Sequence, residues 1–297
     1  MPQLKLSGIF PPIPTPFNHS GDIYPAKIRS NVEKWNLTTL SGYVVCGSTG
    51  ESVYLTEPEK LYLWEEVAKY TPSNKLLLAG TGMESVRETI HLTNRAADLG
   101  YKCAMVRTPH YYKNLLNNLE AQALYFRSVA DQAKIPLMIY NWPQSTGLDI
   151  SVETVALLSE HPNIIAIKES SGNMDKLHAL LKAVKPGFQV LNGSAPNLAA
   201  SLRAGAVGAV LAYASAAPFS CLTIAEAILK REYEAAEDWQ NRIREAALLV
   251  TVKYGIPGLK YAMDFNGYYG GPPRLPLIPI SRAAQIEIET AFHNLRG

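Results

Sequence analysis

Short apolar runs recur along the chain about every 20 to 30 residues, and each run is followed by a segment with helical spacing of apolar positions. Eight such runs lie near residues 8–15, 42–47, 75–80, 103–108, 136–141, 164–170, 188–193 and 208–214. They are apolar at nearly every position, which is typical of parallel strands covered on both faces. The alternation therefore predicts repeated βα units.

The segments between the runs carry signals for helix starts. Thr56 with Glu59, and Ser85 with Glu88, have the spacing of a capping box, in which two side chains satisfy each other's free backbone N–H groups. Eight βα units predict an α/β protein with the (β/α)8 TIM barrel fold. A doubly wound open sheet is the alternative, because periodicity does not report closure.

The last part of the chain departs from this pattern. From about residue 218 onward it is predicted to be helical, with an interruption at the proline-rich stretch 270–279. We expect residues 1–217 to form the barrel and residues 218–297 to form a C-terminal helical extension packed on it as a single structural unit. The low-polarity segment 204–219 is shorter than the roughly 20 residues of a membrane-spanning helix, so it predicts a buried strand.

Composition and charge narrow the class of protein. Hydrophobic residues make up 47% of the chain and charged residues 18%, which predicts a globular protein rather than a disordered one. The net charge is +2 and no block of like charges occurs, so nucleic acid is not an expected partner. Four prolines within residues 11–16 would break the apolar part of a signal peptide, so we expect a cytoplasmic protein without a membrane partner.

The cysteines indicate neither a disulfide framework nor a metal site. Cys46, Cys103 and Cys221 are odd in number, lie in apolar segments and lack the spacing of metal ligands. Single cysteines in such segments usually behave as small hydrophobic residues. We therefore expect no metal.

Three of the predicted strands end in polar residues that a core would not select. They end in the sequences Gly-Ser-Thr-Gly-Glu at 47–51, Tyr-Asn-Trp-Pro at 140–143 and Lys-Glu-Ser at 168–170. In barrels of this kind the functional groups gather at the carboxyl ends of the strands. We therefore expect these three segments to meet at one site.

Lys168 closes the apolar run of the sixth strand. A strand repeats every two residues, so Ile164, Ala166, Lys168 and Ser170 are predicted to share one face. If that face points into the barrel, poor solvation disfavours the ammonium form and leaves the free amine that a Schiff base requires. The alternative is a lysine that reaches out to water and pairs with Glu169.

The neighbouring polar residues each have a structural alternative. Tyr140 offers a hydroxyl for proton transfer, but it also fits a core tyrosine with a satisfied hydroxyl. The 47–51 turn offers amides and hydroxyls to a carboxylate, although an ordinary βα loop or a phosphate cradle has the same composition. It lacks the lysine of a Walker motif. Tyr111 and Tyr112, after the fourth strand, fit packing or interface positions equally well.

The order and spacing of these motifs resemble those of the dihydrodipicolinate synthase and N-acetylneuraminate lyase superfamily. The likeness runs from residue 8 to about residue 279 and rests on 47–51, 140–143 and 167–170. The resemblance implies that Lys168 forms a Schiff base with pyruvate and that Tyr140 is the general acid/base. It also implies that Ser48 relays protons between Tyr140 and Tyr111, with Tyr111 reaching across from a neighbouring subunit.

The resemblance also implies a substrate-binding set and an assembly. Thr49 and the backbone near Val210 are expected to hold the pyruvate carboxylate, and Ser170 and Gly193 complete the predicted substrate-binding residues. The implied enzyme is a homotetramer, a dimer of tight dimers, and it acts on a small 2-oxo acid and an aldehyde. It needs no cofactor, because the imine on Lys168 supplies the electrophile.

The choice among members of the superfamily rests on finer likenesses. Synthases carry an arginine two residues after Pro143, for the carboxylate of aspartate semialdehyde, and Ser145 stands there. Ser170 and several segments look closer to 4-hydroxy-2-oxoglutarate aldolases, although Thr49 stands where the mammalian-type enzyme has asparagine. The segments are 76–82, 146–149, 161–164, 255–260 and 267–272.

We therefore expect a class I aldolase that cleaves 4-hydroxy-2-oxoglutarate to pyruvate and glyoxylate. The alternatives are condensation of pyruvate with aspartate semialdehyde, as in 4-hydroxy-tetrahydrodipicolinate synthase, and cleavage of 2-keto-3-deoxy sugar acids. A non-enzyme alternative is a catalytically silent sensor of 2-oxo acids, because fold does not fix function.

Overall fold

The computed structural model describes residues 4–293 and 295, and its centre is a ring of parallel strands. The strands are β1 (Gly8–Phe10), β2 (Gly42–Val45), β3 (Leu76–Gly80), β4 (Cys103–Arg107), β5 (Leu137–Asn141), β6 (Ile164–Glu169), β7 (Gln189–Asn192) and β8 (Gly208–Val210). Their order is β1-β8-β7-β6-β5-β4-β3-β2. Beyond β1, a bridge between Pro12 and Val44 joins the two ends of this sheet, and the Ile13 N–H donates to the Val44 carbonyl at 2.9 Å. The TIM barrel prediction is confirmed, and the open-sheet alternative is wrong.

Helices separate the strands and continue after the last one. They are α1 (Pro25–Asn36), α2 (Glu57–Tyr70), α3 (Val86–Asp98), α4 (Lys113–Leu116), α5 (Leu119–Ala130), α6 (Pro143–Thr146), α7 (Val152–Ser159), α8 (Met174–Ala183), α9 (Leu198–Ala204), α10 (Pro218–Leu229), α11 (Tyr233–Leu248), α12 (Gly255–Phe265) and α13 (Arg282–His293). A π-helical turn, Leu249–Lys253, follows α11 directly. Thr56 and Glu59 form both hydrogen bonds of the predicted capping box at α2. At α3 the Ser85 side chain accepts from the Glu88 N–H, which is one of the two bonds of the second predicted box.

The apolar runs overestimate the lengths of several strands. The first run predicts a strand over 8–15, but β1 ends at Phe10. The prediction that 204–219 is one buried strand is wrong, because only Gly208–Val210 is a strand and a 3-10 turn (Ala212–Ser215) follows it. An apolar run alone does not distinguish a buried strand from a buried turn or helix start.

A β-bulge in β6 decides which of its side chains point into the barrel. Leu137 of β5 pairs with Ile164, but the next residue of β5 pairs with Ala166, so Ile165 is an extra residue. Ile165 packs with the side chains of the barrel interior, whereas Ile164 packs outside, among residues of the surrounding helices. The prediction that Ile164 shares the face of Lys168 is therefore wrong, because the bulge interrupts the two-residue repeat.

Three further observations concern the chain as a whole. Across residues 4–293 and 295, no helix is long and apolar enough to cross a membrane. The same residues hold no cluster of His, Cys, Asp or Glu side chains arranged to bind a metal ion. Cys46, Cys103 and Cys221 are buried and unpaired as thiols. The division of the chain at residue 217 stays a prediction.

Candidate active site

Lys168 lies near the carboxyl end of β6, inside the barrel. In the register of the sheet its neighbours are Tyr140 on β5 and Leu191 on β7. The side chain of Lys168 is 5% exposed, and its Nζ lies 3.9 Å from the centroid of the Tyr140 ring. Burial lowers the pKa of Lys168 from its ordinary value of 10.5 to about 7. About half of the amine is therefore free to act as a nucleophile at pH 7.

Glu169 does not neutralise this lysine. Its carboxylate accepts hydrogen bonds from the Asn141 Nδ2 at 2.9 Å and from the Ser171 N–H at 2.6 Å. It also lies 3.7 Å from the Nζ of Lys176. Successive residues of a strand point to opposite faces, so Glu169 points away from the barrel interior. The alternative of a surface lysine paired with Glu169 is wrong.

Tyr140 is buried beside the amine, and its hydroxyl forms a hydrogen bond with Ser48. Its ring stacks on Trp142, with centroids 6.1 Å apart and planes tilted by 16°. Burial raises the pKa of Tyr140, while Ser48 and the charge of Arg107 act in the opposite direction. The phenol is therefore protonated across the neutral range and can donate a proton to a substrate oxygen.

The turn after β2 brings its hydroxyl groups to the same place. Ser48–Gly50 forms one 3-10 turn, and it ends at Glu51, which has a left-handed backbone with φ of 56°. Thr15, in the segment after β1, holds the turn, since its hydroxyl donates to the Gly50 carbonyl at 2.6 Å. The side chain of Thr49 lines the cavity that contains Lys168.

That cavity has a volume of about 610 Å³ and opens at the carboxyl ends of the strands. It brings together six of the eight predicted site residues, namely Thr49, Tyr140, Lys168, Ser170, Gly193 and Val210. Ser48 and Tyr111 line a second cavity of about 310 Å³, which Tyr140 separates from the first. Tyr140 is part of the wall of both cavities. This position is the one expected of a residue that exchanges protons with both.

Ser170 and Gly193 face each other inside the larger cavity. The Ser170 hydroxyl is buried and has no hydrogen-bond partner within residues 4–293 and 295, so it can bind a polar group of a substrate. A Cβ on Gly193 would lie 1.8 Å from that hydroxyl oxygen. Glycine is required here because any side chain would displace Ser170.

Tyr111 is far more open than the other predicted site residues. Its side chain is 77% exposed, and its ring packs edge-on against Tyr112 with centroids 5.0 Å apart. Within its own chain it does not line the cavity of Lys168. Its role in a neighbouring subunit stays a prediction.

Sequence reasoning missed two contributors to the site. One is the π-helical turn after α11, from which Val250, Thr251 and Val252 line the larger cavity. The apolar pattern of that segment carries no signal for a π turn. The other is Arg107, which pairs in register with Tyr140 and lines the smaller cavity. An arginine that ends an apolar strand was a signal of the same kind as Lys168.

Comparison with proteins of known sequence identifies the family. The model of the Dihydrodipicolinate synthetase family matches residues 5–295. A 4-hydroxy-tetrahydrodipicolinate synthase of Methanothrix thermoacetophila is 34% identical over 294 residues, covering 98% of this chain and 98% of that protein. The enzyme of the same name from an Exiguobacterium species is 32% identical over 286 residues, covering 96% and 97%.

Solved structures agree with this match. A dihydrodipicolinate synthase of Bacillus anthracis superposes with a TM-score of 0.93 at 26% identity, covering 98% of this chain and 99% of that one. A prophage protein of the dihydrodipicolinic acid synthase family from E. coli K12, solved in complex with pyruvate, gives 0.91 at 26% identity, covering 98% and 99%.

The comparisons decide several of the predictions. Enzymes of this family act on pyruvate through a Schiff base on a lysine, without a metal or an organic cofactor, so the predicted class of enzyme is confirmed. The preference for 4-hydroxy-2-oxoglutarate cleavage is not supported, and the synthase alternative fits the relatives better. Because the family model and the relatives cover nearly the whole chain, this protein belongs to the dihydrodipicolinate synthetase family.

Proposed function

We propose that this protein joins pyruvate to an aldehyde, or reverses that reaction, through a Schiff base on Lys168. The observation that carries the proposal is the buried amine itself. Lys168 is 5% exposed, its pKa is lowered to about 7 by burial, and its Nζ lies against the ring of Tyr140. A lysine of this kind is costly to bury and is useful for attack on a carbonyl.

The residues around the amine support a sequence of steps. The free amine of Lys168 attacks the C2 ketone of pyruvate, and its proton passes to the oxygen, which gives a carbinolamine. Tyr140 donates a proton to that hydroxyl, water leaves, and a protonated imine remains. The Tyr140 phenolate then takes a proton from C3, which gives an enamine. The enamine attacks the aldehyde carbon, and Tyr140 passes that proton to the new alkoxide. Hydrolysis of the imine releases the product and restores Lys168.

The 48–50 turn is suited to the carboxylate of pyruvate. Its Thr49 lines the cavity together with Lys168, and Val210 lies on the wall formed by β8. Hydroxyl and backbone N–H groups in a tight turn can converge on an anion. We assign the carboxylate to Thr49 and the backbone near Val210, with Ser170 and Gly193 shaping the pocket beside it. Ser48 links the Tyr140 hydroxyl to the second cavity.

Aspartate semialdehyde is the acceptor that we propose first. The curated relatives named above are 4-hydroxy-tetrahydrodipicolinate synthases, which supports the condensation reading. Against it stands Ser145, an exposed neutral residue at the position of the synthase arginine. The carboxylate of the aldehyde would therefore need other hydrogen-bond donors. We expect half-maximal rate at a higher concentration of aspartate semialdehyde than in an enzyme that has the arginine.

A second candidate is cleavage of 2-keto-3-deoxy sugar acids. The outer wall of the larger cavity carries neutral polar side chains, among them Gln144, Ser194, Asn197 and Thr251. Within the described residues, Lys168 is the one charged side chain that lines the whole cavity, and it lies at its inner end. Amide and hydroxyl groups suit the hydroxyls of a sugar chain better than they suit a second carboxylate.

A reductive trapping experiment tests the shared chemistry, and a panel of aldehydes separates the candidates. Pyruvate with borohydride is expected to leave a stable adduct on Lys168, and Lys168→Ala is the matched control that should lose it. An adduct on another lysine contradicts the assignment. Condensation is then measured with pyruvate and aspartate semialdehyde, glyoxylate or glyceraldehyde. Turnover of glyceraldehyde but not of aspartate semialdehyde would favour the sugar-acid candidate.

We also propose that the active unit contains at least two subunits and that the whole assembly is a homotetramer. The open position of Tyr111 supports this, because 77% of its surface is available to a neighbour. Mixed oligomers of Lys168→Ala and Tyr111→Phe chains test the idea. If Tyr111 acts across an interface, one site of a mixed dimer has both intact residues and regains activity. A monomer in solution, or mixtures no more active than their parts, would contradict it.

A further inference from the structure

A buried ion pair connects the turn after β2 to the C-terminal part of the chain. The Glu51 Oε1 lies 2.5 Å from the Lys260 Nζ, and the two side chains are 0% and 1% exposed. Glu51 directly follows the Ser48–Gly50 turn, and Lys260 lies in α12. Two charges this far from water lose their hydration, so a buried pair rarely adds stability over apolar residues of equal size. Its presence here calls for another reason.

The backbone conformation of Glu51 also indicates that its side chain has a role beyond stability. Its φ of 56° and ψ of 32° place it in the left-handed region, which glycine adopts freely and other residues adopt at a cost. A glutamate in this conformation is strained, and the conformation persists only where surrounding contacts offset its cost. Besides the contact with Lys260, its Oε2 accepts the backbone N–H of Arg274 at 2.8 Å. The side chain therefore compensates for the conformation of the turn.

Lys260 is held from the other side by the barrel mouth and the C-terminal loop. Its Nζ donates to the Pro272 carbonyl at 2.9 Å and lies 4.5 Å from the centroid of the Phe17 ring. Gly270 lets the loop approach, since a Cβ there would lie 1.9 Å from the Lys260 carbonyl oxygen. Burial lowers the pKa of Lys260, and Glu51 raises it. The charges of Glu51 and Asp264 both oppose the effect of burial on the Lys260 pKa.

Arg274 extends the same attachment along the chain. Its guanidinium donates to both oxygens of Glu59 at 2.6 and 3.0 Å and to the Tyr54 carbonyl at 2.9 Å. It also lies 4.3 Å from the centroid of the Phe17 ring. The segment from the site turn to the start of α2 is therefore fixed to one C-terminal loop at several points.

We propose that Glu51 and Lys260 are positioning residues, whose ion pair holds Ser48 and Thr49 in the geometry that binds the 2-oxo acid carboxylate. This inference rests on the proposed function, because it takes that turn to be the carboxylate site. Thr49 precedes Glu51 by two residues, so a rotation of the strained backbone at 51 displaces it. Such a displacement weakens pyruvate binding before it affects the chemistry at Lys168.

The test compares three variants by the pyruvate concentration that gives half-maximal borohydride trapping. Glu51→Gln keeps the shape of the side chain and removes its charge. The double variant E51Q/K260M removes both charges and leaves none unpaired. Lys75→Met is the control, because Lys75 is also a buried lysine, bonded to the Thr38 and Leu40 carbonyls before β3 at the opposite end of the barrel.

In both Glu51 variants, the pyruvate concentration that gives half-maximal trapping is expected to rise by about tenfold or more. The trapping rate at saturating pyruvate is expected to stay within about threefold of wild type. Lys75→Met is expected to lower the Tm and to leave half-saturation unchanged. A folded Glu51→Gln protein that binds pyruvate as wild type does overturns the inference, as does the same binding loss in Lys75→Met. If neither Glu51 variant folds, the pair serves the fold and the positioning role is wrong. If wild type itself gives no adduct, the proposed function fails instead.

Discussion

The pH dependence of Schiff-base formation follows from the burial of Lys168. The attacking species is the free amine, so the rate with pyruvate should rise as pH rises through the pKa of Lys168 and then level off. That pKa is lowered from 10.5 to about 7 by burial. The pKa of Tyr140 is raised above its ordinary value, so this acid stays protonated and the plateau should extend beyond pH 9 or so.

The size of the effect can be worked out from the two pKa values. A lysine with its ordinary pKa of 10.5 has roughly 0.03% free amine at pH 7, whereas one with a pKa near 7 has about half. Burial therefore increases the reactive fraction by roughly a thousandfold at pH 7. Above about pH 8 the gain from further alkalinity should be less than twofold.

The measurement is the initial rate of cyanoborohydride trapping at low pyruvate, taken between about pH 5.5 and 10. Mass spectrometry of the adduct confines the signal to one lysine, and Lys168→Ala supplies the background from surface amines. The expected curve bends near pH 7. A rate that continues to climb by about tenfold per pH unit up to pH 10 would mean that the amine is solvated. The argument from burial would then be refuted.

Three other outcomes follow from the geometry of the site. Tyr140→Phe should lower the trapping rate by about a hundred- to ten-thousandfold, which is the usual contribution of an acid/base group, while pyruvate still binds. An unchanged rate would remove Tyr140 from the mechanism. Gly193→Ala should lower the free energy of unfolding, measured in urea, by about 1–3 kcal/mol, because its Cβ would lie 1.8 Å from the Ser170 hydroxyl oxygen. A variant as stable as wild type would contradict this steric argument. Lys168→Met should raise the free energy of unfolding at pH 7 by up to about 4 kcal/mol, because folding no longer depresses the pKa of a lysine. The unfolded chain binds the extra proton between about pH 7 and 10.5, so this advantage should be full below pH 7 and vanish towards pH 10.5, and a constant difference would contradict it.

Much of the fold could be predicted from the sequence because parallel barrel strands are apolar at nearly every position. The strand starts were located well, as at Gly42 and Cys103. The strand ends were not, because the chain remains apolar where it leaves β8 and turns. Apolar residues indicate that a segment is buried. A strand also needs backbone hydrogen bonds to a neighbouring strand, and the apolar pattern does not indicate where these hydrogen bonds end.

The site divides in the same way. Lys168 and Tyr140 were found because each is a polar group at the end of an apolar run. Glu51 and Lys260 were not recognised as a pair, because 209 positions separate them along the chain and each alone fits a surface residue. The bulge at Ile165 was also missed, since an extra isoleucine in an apolar strand leaves no mark in the pattern.

That bulge separates the length of β6 from the direction of its catalytic amine. Leu137 pairs with Ile164 and Met138 pairs with Ala166, so the pairs from Ala166 to Glu169 keep the register of an uninterrupted strand. Loss of the single codon for Ile165 would leave a regularly alternating strand, in which Lys168 still pairs with Tyr140 and points into the barrel. It would remove one interior side chain and leave the lysine in place. Among related sequences, a difference of one residue at this point is thus compatible with an intact site.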